Sequence, residues 1–248
     1  LSIQLTLQEI GKKRHGEFPD YLFREITAEV QSGQRIVLLG TSGQGKTTLL
    51  RILSRLEKPD EGALSLSGRH YLEWKPQEWR RKVCYVAQQP VMLTGTVEAN
   101  LRTVSELHGT AFDKRLAEEC MAALGLENLD WSKQAADLSG GEKQRTALVR
   151  ALLLQSEVLL LDEVTASLDP ASKRAAERLL SDWAQKRGTA LIWITHDLDQ
   201  AAQVSDFIWF MDEGRLLETA RAEEFFREPS TRQAKSFIRR TDSEGGVL

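Results

Sequence analysis

The chain has 248 residues, 41% of them apolar and 28% charged, with a formal net charge of −3. That length suits one large domain or a core with a smaller lobe, and the charge balance speaks against a broad nucleic-acid footprint. The longest apolar runs are only a few residues, such as Val158 to Leu161, so no segment is expected to cross a bilayer. No charged-then-apolar leader is expected at the start, where the chain begins with Leu1. Cys84 and Cys120 lie far apart without metal-ligand spacing, and both are expected to be buried small residues in a reducing compartment.

Residues 1–35 alternate apolar and polar side chains, which predicts antiparallel strands with a turn at Gly11 to Pro19. Lys12 to His15 reads as a solvated loop. Glu29 to Gly33 reads as a hairpin turn into the next strand, the apolar run Ile36 to Leu39. Then comes Gly40-Thr41-Ser42-Gly43-Gln44-Gly45-Lys46-Thr47, a G-x-x-x-x-G-K-[ST] phosphate-binding loop. Thr48 to Ser54 continue it with the apolar spacing of a helix. Strand, glycine-rich loop and helix in this order give the motif its meaning. The glycines let successive N–H groups turn toward phosphate oxygens, and the helix start adds partial positive charge. Lys46 is expected to reach the β- and γ-phosphates, and the Thr47 hydroxyl to bind Mg²⁺.

Glu57 to Gly62 is a loop, Ala63 to Leu66 a short strand, and Lys75 to Arg81 a short helix. Val83 to Val86 is a strand, and Gln88 just past its end can extend an amide toward Mg²⁺ and an attacking water. Strand signals vanish over residues 91–157. Phe112 to Leu124 is predicted helical, stopped by Gly125, and Leu138 to Ser156 is a second helical stretch. Within it, Ser139, Gly140, Gly141 and Glu142 open a helix and offer a second anion site.

Val158 to Leu161 is a fully apolar strand ending in Asp162 and Glu163. Carboxylates at the carboxyl end of a central parallel strand sit beside the phosphate crevice. Asp162 is placed to hold Mg²⁺, and Glu163 to align or deprotonate a water. Asp169 and Pro170 begin a helix expected to run to about Lys186. Ala190 to Ile194 is the next buried strand, followed by Thr195, His196 and Asp197. Asp206 to Met211 is a final strand, with a hairpin turn at 212–215. Residues 222–240 read as one amphipathic helix, and Thr241 to Leu248 as a frayed tail.

These motifs, in this order and over nearly the whole chain, resemble the ATP-binding subunit of a bacterial ABC transporter. Gly40 to Thr47 match the Walker A loop, Gln88 the Q-loop, and Leu138 to Gln144 the family signature. Leu159 to Asp162 with Glu163 match Walker B and the catalytic glutamate, Asp169 the D-loop, and His196 the switch histidine. Val164 departs from the family's usual proline.

The resemblance implies an α/β fold: a P-loop NTPase (RecA-like) core, an N-terminal antiparallel β subdomain and an inserted helical subdomain. The implied division of residues 1–248 is core and β subdomain at 1–90 and 158–220, helical subdomain at 91–157, and a C-terminal helix and tail at 221–248. It implies an ATPase using ATP and Mg²⁺. Phosphates would be held by residues 40–47 and Thr48, metal by Thr47, Gln88 and Asp162, and the hydrolytic water by Glu163, His196 and Gln88. Adenine would stack on His15 or Phe18, with Tyr21 also near. Two copies would clasp two ATP molecules, Ser139, Gly140, Gly141 and Glu142 of one facing the P-loop of the other. A separate membrane-spanning permease would be driven from the cytoplasmic face of the inner membrane, and nucleic acid would not be a partner.

A soluble ABC-type ATPase acting on nucleic acid or ribosomes is the alternative. Such relatives usually add coiled coils or a second cassette, and neither is expected from these 248 residues. A small-molecule P-loop kinase leaves the signature and Asp169 unexplained. Two cues to cargo diverge. The stretch Glu223 to Ile238 resembles importers of polar amino acids and oxyanions, whereas Tyr85 to Pro90, Val164 and Trp193 to His196 resemble iron-export ATPases.

Overall fold

The computed structural model of the chain describes residues 2–14 and 20–245. Two sheets organise them. The smaller is antiparallel, in the order β2-β1-β4-β5, from β1 (Ile3–Lys13), β2 (Tyr21–Gln31), β4 (Glu61–Leu66) and β5 (Arg69–His70). The larger runs β10-β9-β3-β8-β7-β6, with β3 (Arg35–Leu39), β6 (Val83–Val86), β7 (Val158–Asp162), β8 (Ala190–Ile194), β9 (Phe207–Asp212) and β10 (Arg215–Arg221). Neighbours from β9 to β6 are parallel, and β10 adds an antiparallel edge.

The unbroken apolar runs of β7 and β8 follow from burial on both faces. Alternate residues of one strand enter different cores. Val37, Leu39, Leu159, Leu161 and Trp193 join one cluster. Ile36, Leu38, Val158, Leu160 and Ile192 join the other. The second cluster takes in Leu49 and Leu50 of α1 (Lys46–Leu53), together with Leu5, Leu7 and Ile10 of β1 and Trp79 of α2 (Pro76–Lys82). The first is completed by α5 (Gly140–Leu153), α6 (Pro170–Arg187) and α8 (Ala222–Arg227), through Leu148, Leu180 and Phe225.

Between β6 and β7 lie α3 (Val97–His108), α4 (Lys114–Ala123) and α5, with no strand among them. Thr96 caps α3 by accepting the Ala99 N–H at 3.1 Å, and Gly109 ends it in the left-handed region. Asp113 caps α4, which therefore starts after Phe112 rather than on it. Helix α7 (Leu198–Val204) connects β8 to β9.

Several local expectations change. Residues 29–33 are no hairpin: β2 belongs to the antiparallel sheet and β3 to the parallel one. The turn between them is fastened by the Gly33 N–H donating to the Gly188 carbonyl at 2.9 Å. Lys12 is not solvated. It lies in β1, 7% exposed, donating to the Lys58 carbonyl at 3.0 Å beside Glu57 at 3.2 Å and Asp60 at 3.5 Å. Those carboxylates close the 57–60 loop over a lysine that sequence polarity assigns to water.

Cys120 is buried, but Cys84 is only partly so. The C-terminal helix is two helices, α8 and α9 (Arg232–Gly245), broken where Pro229 cannot continue a helical ladder. The second of them reaches into the stretch expected to fray.

Candidate nucleotide and catalytic site

Four adjacent parallel strands, β3, β8, β7 and β6, deliver polar residues at their carboxyl ends. Gly40 follows β3, Asp162 closes β7 with Glu163 next, Gln88 lies two residues past β6, and His196 two past β8. Residues distant in sequence thereby meet at one end of the sheet.

The loop from Gly40 to Gly45 is shaped by backbone demands. A Cβ on Gly40 would lie 2.1 Å from the Met211 carbonyl oxygen, so no other residue fits. Gly45 has φ of 87° and packs against Leu22 and Phe23. Lys46 is 6% exposed and folds back, its Nζ donating to the carbonyls of Gly40 at 2.7 Å and Thr41 at 2.9 Å. Burial lowers its pKa, countered by the negative charge of Glu163 and Asp162. Gln44 braces the loop by accepting the Gly214 N–H at 3.0 Å and donating to the Thr41 hydroxyl at 3.1 Å. Ser42 and Gly43 are exposed, and Thr48 sits in the first turn of α1.

The carboxylates are held differently. Asp162, 3% exposed, accepts from the Thr47 hydroxyl at 3.2 Å on Oδ1 and from the Tyr85 hydroxyl at 2.7 Å on Oδ2. Burial and the bond to Asp162 raise the Tyr85 pKa, so the phenol remains a donor at neutral pH. Glu163 has φ of 48°, in the left-handed region, and its N–H donates to the Ile194 carbonyl at 3.1 Å. Its carboxylate has partners different from those of Asp162. One oxygen accepts from Gln88 Nε2 at 2.8 Å, and the other lies 2.8 Å from His196 Nε2.

Thr47 and Asp162 suit magnesium, a hard cation held by one or two carboxylates plus phosphates rather than by a closed protein cage. Among the described residues no group of three or more His, Cys, Asp or Glu forms such a cage. The Gln88 side chain reaches the Glu163 carboxylate and carries an amide oxygen of the same hard kind.

Ser139 and Glu142 form a reciprocal capping box at the start of α5: the Ser139 N–H donates to Glu142 at 2.8 Å, and the Glu142 N–H donates to the Ser139 hydroxyl at 3.3 Å. Gly140 and Gly141 have ordinary φ. A Cβ would meet nothing within 4 Å at Gly140, and only Leu168 Cδ2 at 3.8 Å at Gly141. Asp169 caps α6 by accepting the N–H groups of Ala171 at 3.0 Å and Ser172 at 3.1 Å.

His15 and Phe18 lie outside the described residues. Tyr21 is described: its hydroxyl bonds Glu61, and Lys13 and Arg24 flank its ring at 5.5 and 5.7 Å. A cleft of about 680 Å³ lies elsewhere, lined by Trp74, Lys82, His108, Phe112 and Glu157. Two contributors were not picked out from sequence: Tyr85, and the turn at Asp212 to Gly214 that braces Gln44. A phenol near the end of a buried strand is the one available signal for Tyr85, because a buried hydroxyl needs a partner.

The family model described as ABC transporter matches residues 23–166, more than half of the chain. The chain belongs to the ABC transporter family. It is an ATP-binding subunit with the ABC-type transport ATPase activity. Similar to it is the putative ABC transporter ATP-binding protein YjkB of Bacillus subtilis, 38% identical over 227 residues, covering 92% of this chain and 90% of that one. The methionine import ATP-binding protein MetN of Escherichia coli K12 is 35% identical over 244 residues, covering 96% and 71%. In fold, this ABC subunit is similar to the ATP-binding subunit of an ABC transporter, with TM-score 0.81, 23% identity and 96% and 99% coverage. It is also similar to an ATP-bound bacterial Atm1-family ABC exporter, with TM-score 0.83, 24% identity, and 97% and 42% coverage. The likeness to iron-export ATPases finds no support in these relatives, none of which is named for iron.

Proposed function

We propose that two copies of this ABC subunit clasp two ATP molecules and drive a separate membrane-spanning permease. The observation that carries this is the gathering of Gln88, Asp162, Glu163 and His196 at the end of the sheet that also presents the P-loop. Gly40 to Thr48 bind the phosphates, Lys46 exchanging its two backbone carbonyls for phosphate oxygens. Thr47, Asp162 and Gln88 hold Mg²⁺, which supplies charge neutralisation for the phosphates. Glu163 takes the proton of the water that attacks the γ-phosphorus while the bond from that phosphorus to the β,γ-bridging oxygen breaks and ADP leaves, His196 holds that water and the phosphate in line, and Gln88 positions the Glu163 carboxylate.

The signature supports a second copy. Gly140 and Gly141 have no need within their own chain to be glycine, yet a phosphate approaching from a partner's P-loop would require bare backbone at the start of α5. Asp169, exposed at the start of α6, lies on the same approach.

For the permease, the groove past Gln88 is the docking surface we propose. It measures about 310 Å³ and is lined by Tyr85, Gln89, Val91, Val104, Leu107 and Arg150. Val91 and Leu107, 66% and 77% exposed, line the same groove, and apolar side chains exposed together mark an interaction surface. Among the described residues no helix is long and apolar enough to cross a membrane. The subunit would be held at the cytoplasmic face through that groove. Import of an amino acid is the direction and cargo class we favour, because MetN, a methionine importer by name, resembles this chain over 96% of its length.

The test is recovery of partners from detergent-solubilised membranes with Glu163→Gln, ATP and Mg²⁺. A polytopic membrane protein is the expected partner, and its identity fixes direction and cargo. Recovery of ribosomes or DNA instead would overturn the transport reading.

A further inference from the structure

Tyr85 has no part in the chemistry described above, yet its hydroxyl ends on the one carboxylate assigned to the metal. Tyr85 and Val86 stand beside Leu160 and Leu161 in the parallel register of β6 and β7. Asp162 lies two residues past Leu160 and so on the same face of the sheet, the face that α1 covers. The Tyr85 ring packs against that cluster. Its hydroxyl, at the tip, donates to Asp162 Oδ2 at 2.7 Å, while the Thr47 hydroxyl meets Oδ1 at 3.2 Å from the start of α1. The carboxylate is therefore bracketed from two elements. Its rotation about the Cβ–Cγ bond is fixed, and Oδ1 is the oxygen turned toward Thr47.

We propose that Tyr85 is a positioning residue for the magnesium site, its hydroxyl tying back Asp162 Oδ2 so that Oδ1 faces the metal beside Thr47. This rests on the assignment of Asp162 and Thr47 to Mg²⁺. The Tyr85 hydroxyl is committed to Asp162 Oδ2 and is not itself offered to nucleotide or metal. It acts through Asp162, which is 3% exposed and has little water to replace a lost donor. Phenylalanine keeps the ring and its packing and removes only the hydroxyl. The freed carboxylate is then able to rotate, and the metal must meet the cost of orienting it.

The test compares the whole chain with Tyr85→Phe, Asp162→Asn and the double variant, using Mn²⁺ as the probe. ATP affinity is titrated without metal, and Mn²⁺ bound to the ATP complex is measured by electron paramagnetic resonance. For Tyr85→Phe we expect unchanged metal-free ATP binding, and Mn²⁺ affinity about tenfold weaker, the low end of what a hydrogen bond to a charged group contributes. The Mg²⁺ concentration for half-maximal ATPase rises by the same factor, while the rate at saturating Mg²⁺ holds. In the Asp162→Asn background the Tyr85 substitution adds nothing.

Unchanged Mn²⁺ affinity in Tyr85→Phe overturns the proposal. So does equal weakening of ATP binding with and without metal, which marks a merely structural role. If Asp162→Asn itself binds Mn²⁺ as the native chain does, the metal assignment fails, and that result is separate from the failure of Tyr85 alone.

Discussion

Glu163 Oε1 lies 2.8 Å from His196 Nε2, joining the residue after β7 to the loop after β8. Gln88 Nε2 takes the other oxygen at 2.8 Å. With both oxygens engaged, Glu163 is oriented before any water arrives. A glutamine is isosteric and keeps acceptor capacity, but it takes no proton. Glu163→Gln is expected to lower the ATPase rate by about 10²–10⁴-fold, the usual worth of a general base, with ATP binding intact. The pairing is read by single-turnover hydrolysis beside equilibrium ATP titration. Turnover at the native rate removes Glu163 from the role of base.

Lys46 tests the other half of the site. Its amine is buried against the Gly40 and Thr41 carbonyls, and in the proposed function the same charge is offered to phosphates. Lys46→Ala is expected to weaken ATP binding at least about tenfold, through loss of charge-assisted hydrogen bonds. The melting temperature without nucleotide should fall only modestly, because loss of the bonds to the Gly40 and Thr41 carbonyls is partly offset by removal of a buried charge. Titration with a fluorescent ATP analogue, run beside a thermal melt, separates the two quantities.

The fold was legible wherever the physics is local. Val158 to Leu161 and Ala190 to Ile194 announce strands buried on both faces, and a turn-forming polar residue ends each. Long-range exceptions were hidden. Lys12 reads as solvated until Glu57, Asp60 and the Lys58 carbonyl arrive from 46 residues or so further on. The register of the helix after β10 breaks at Pro229, which a single amphipathic pattern over 222–240 passes over. In the site, the identities of Glu163, Gln88 and His196 stand out in the sequence. The convergence of Gln88 and His196 on the Glu163 carboxylate does not, because it depends on strand order β8-β7-β6 rather than on chain order.

Arg35 and Asp206 give the fold a pH-dependent contact. The guanidinium donates from Nη2 to Oδ1 at 2.6 Å and from Nε to Oδ2 at 3.1 Å, and the Arg35 N–H adds a third bond at 3.1 Å. Burial alone would raise the Asp206 pKa, but the bonds to Arg35 hold it below the usual range. The contribution is therefore present above the ordinary aspartate pKa of about 3.9, and is lost as pH falls through the lower folded value. Both side chains are about one-third exposed, so Asp206→Asn is expected to cost only about 1 kcal/mol at pH 7. In urea titrations the gap to the native chain should close in acid. A gap that persists once Asp206 is protonated would assign the cost to packing rather than charge.

Gly40 and Gly140 separate what glycine does for the chain from what it does for a partner. A methyl on Gly40 would overlap the Met211 carbonyl oxygen, and φ there is 146°. Gly40→Ala is therefore expected to destabilise the fold by more than about 4 kcal/mol, the range of severe steric conflicts. At Gly140 the added methyl meets nothing in its own chain. Alanine is also the better helix former in the first turn of α5, so Gly140→Ala should melt no lower than the native chain. If α5 receives a phosphate held by a second copy, the methyl comes between them, and the hydrolysis rate falls while monomeric ATP binding stays. Ser139→Arg should have the same signature, sparing binding and stopping turnover. Mixing Ser139→Arg with Lys46→Ala decides the geometry. In a head-to-tail pair, one of the two composite sites combines a native P-loop with a native signature, and the other carries both defects. Partial activity is expected from the mixture when neither variant is active alone. A mixture as inactive as its components would leave no intact composite site and would refute that arrangement.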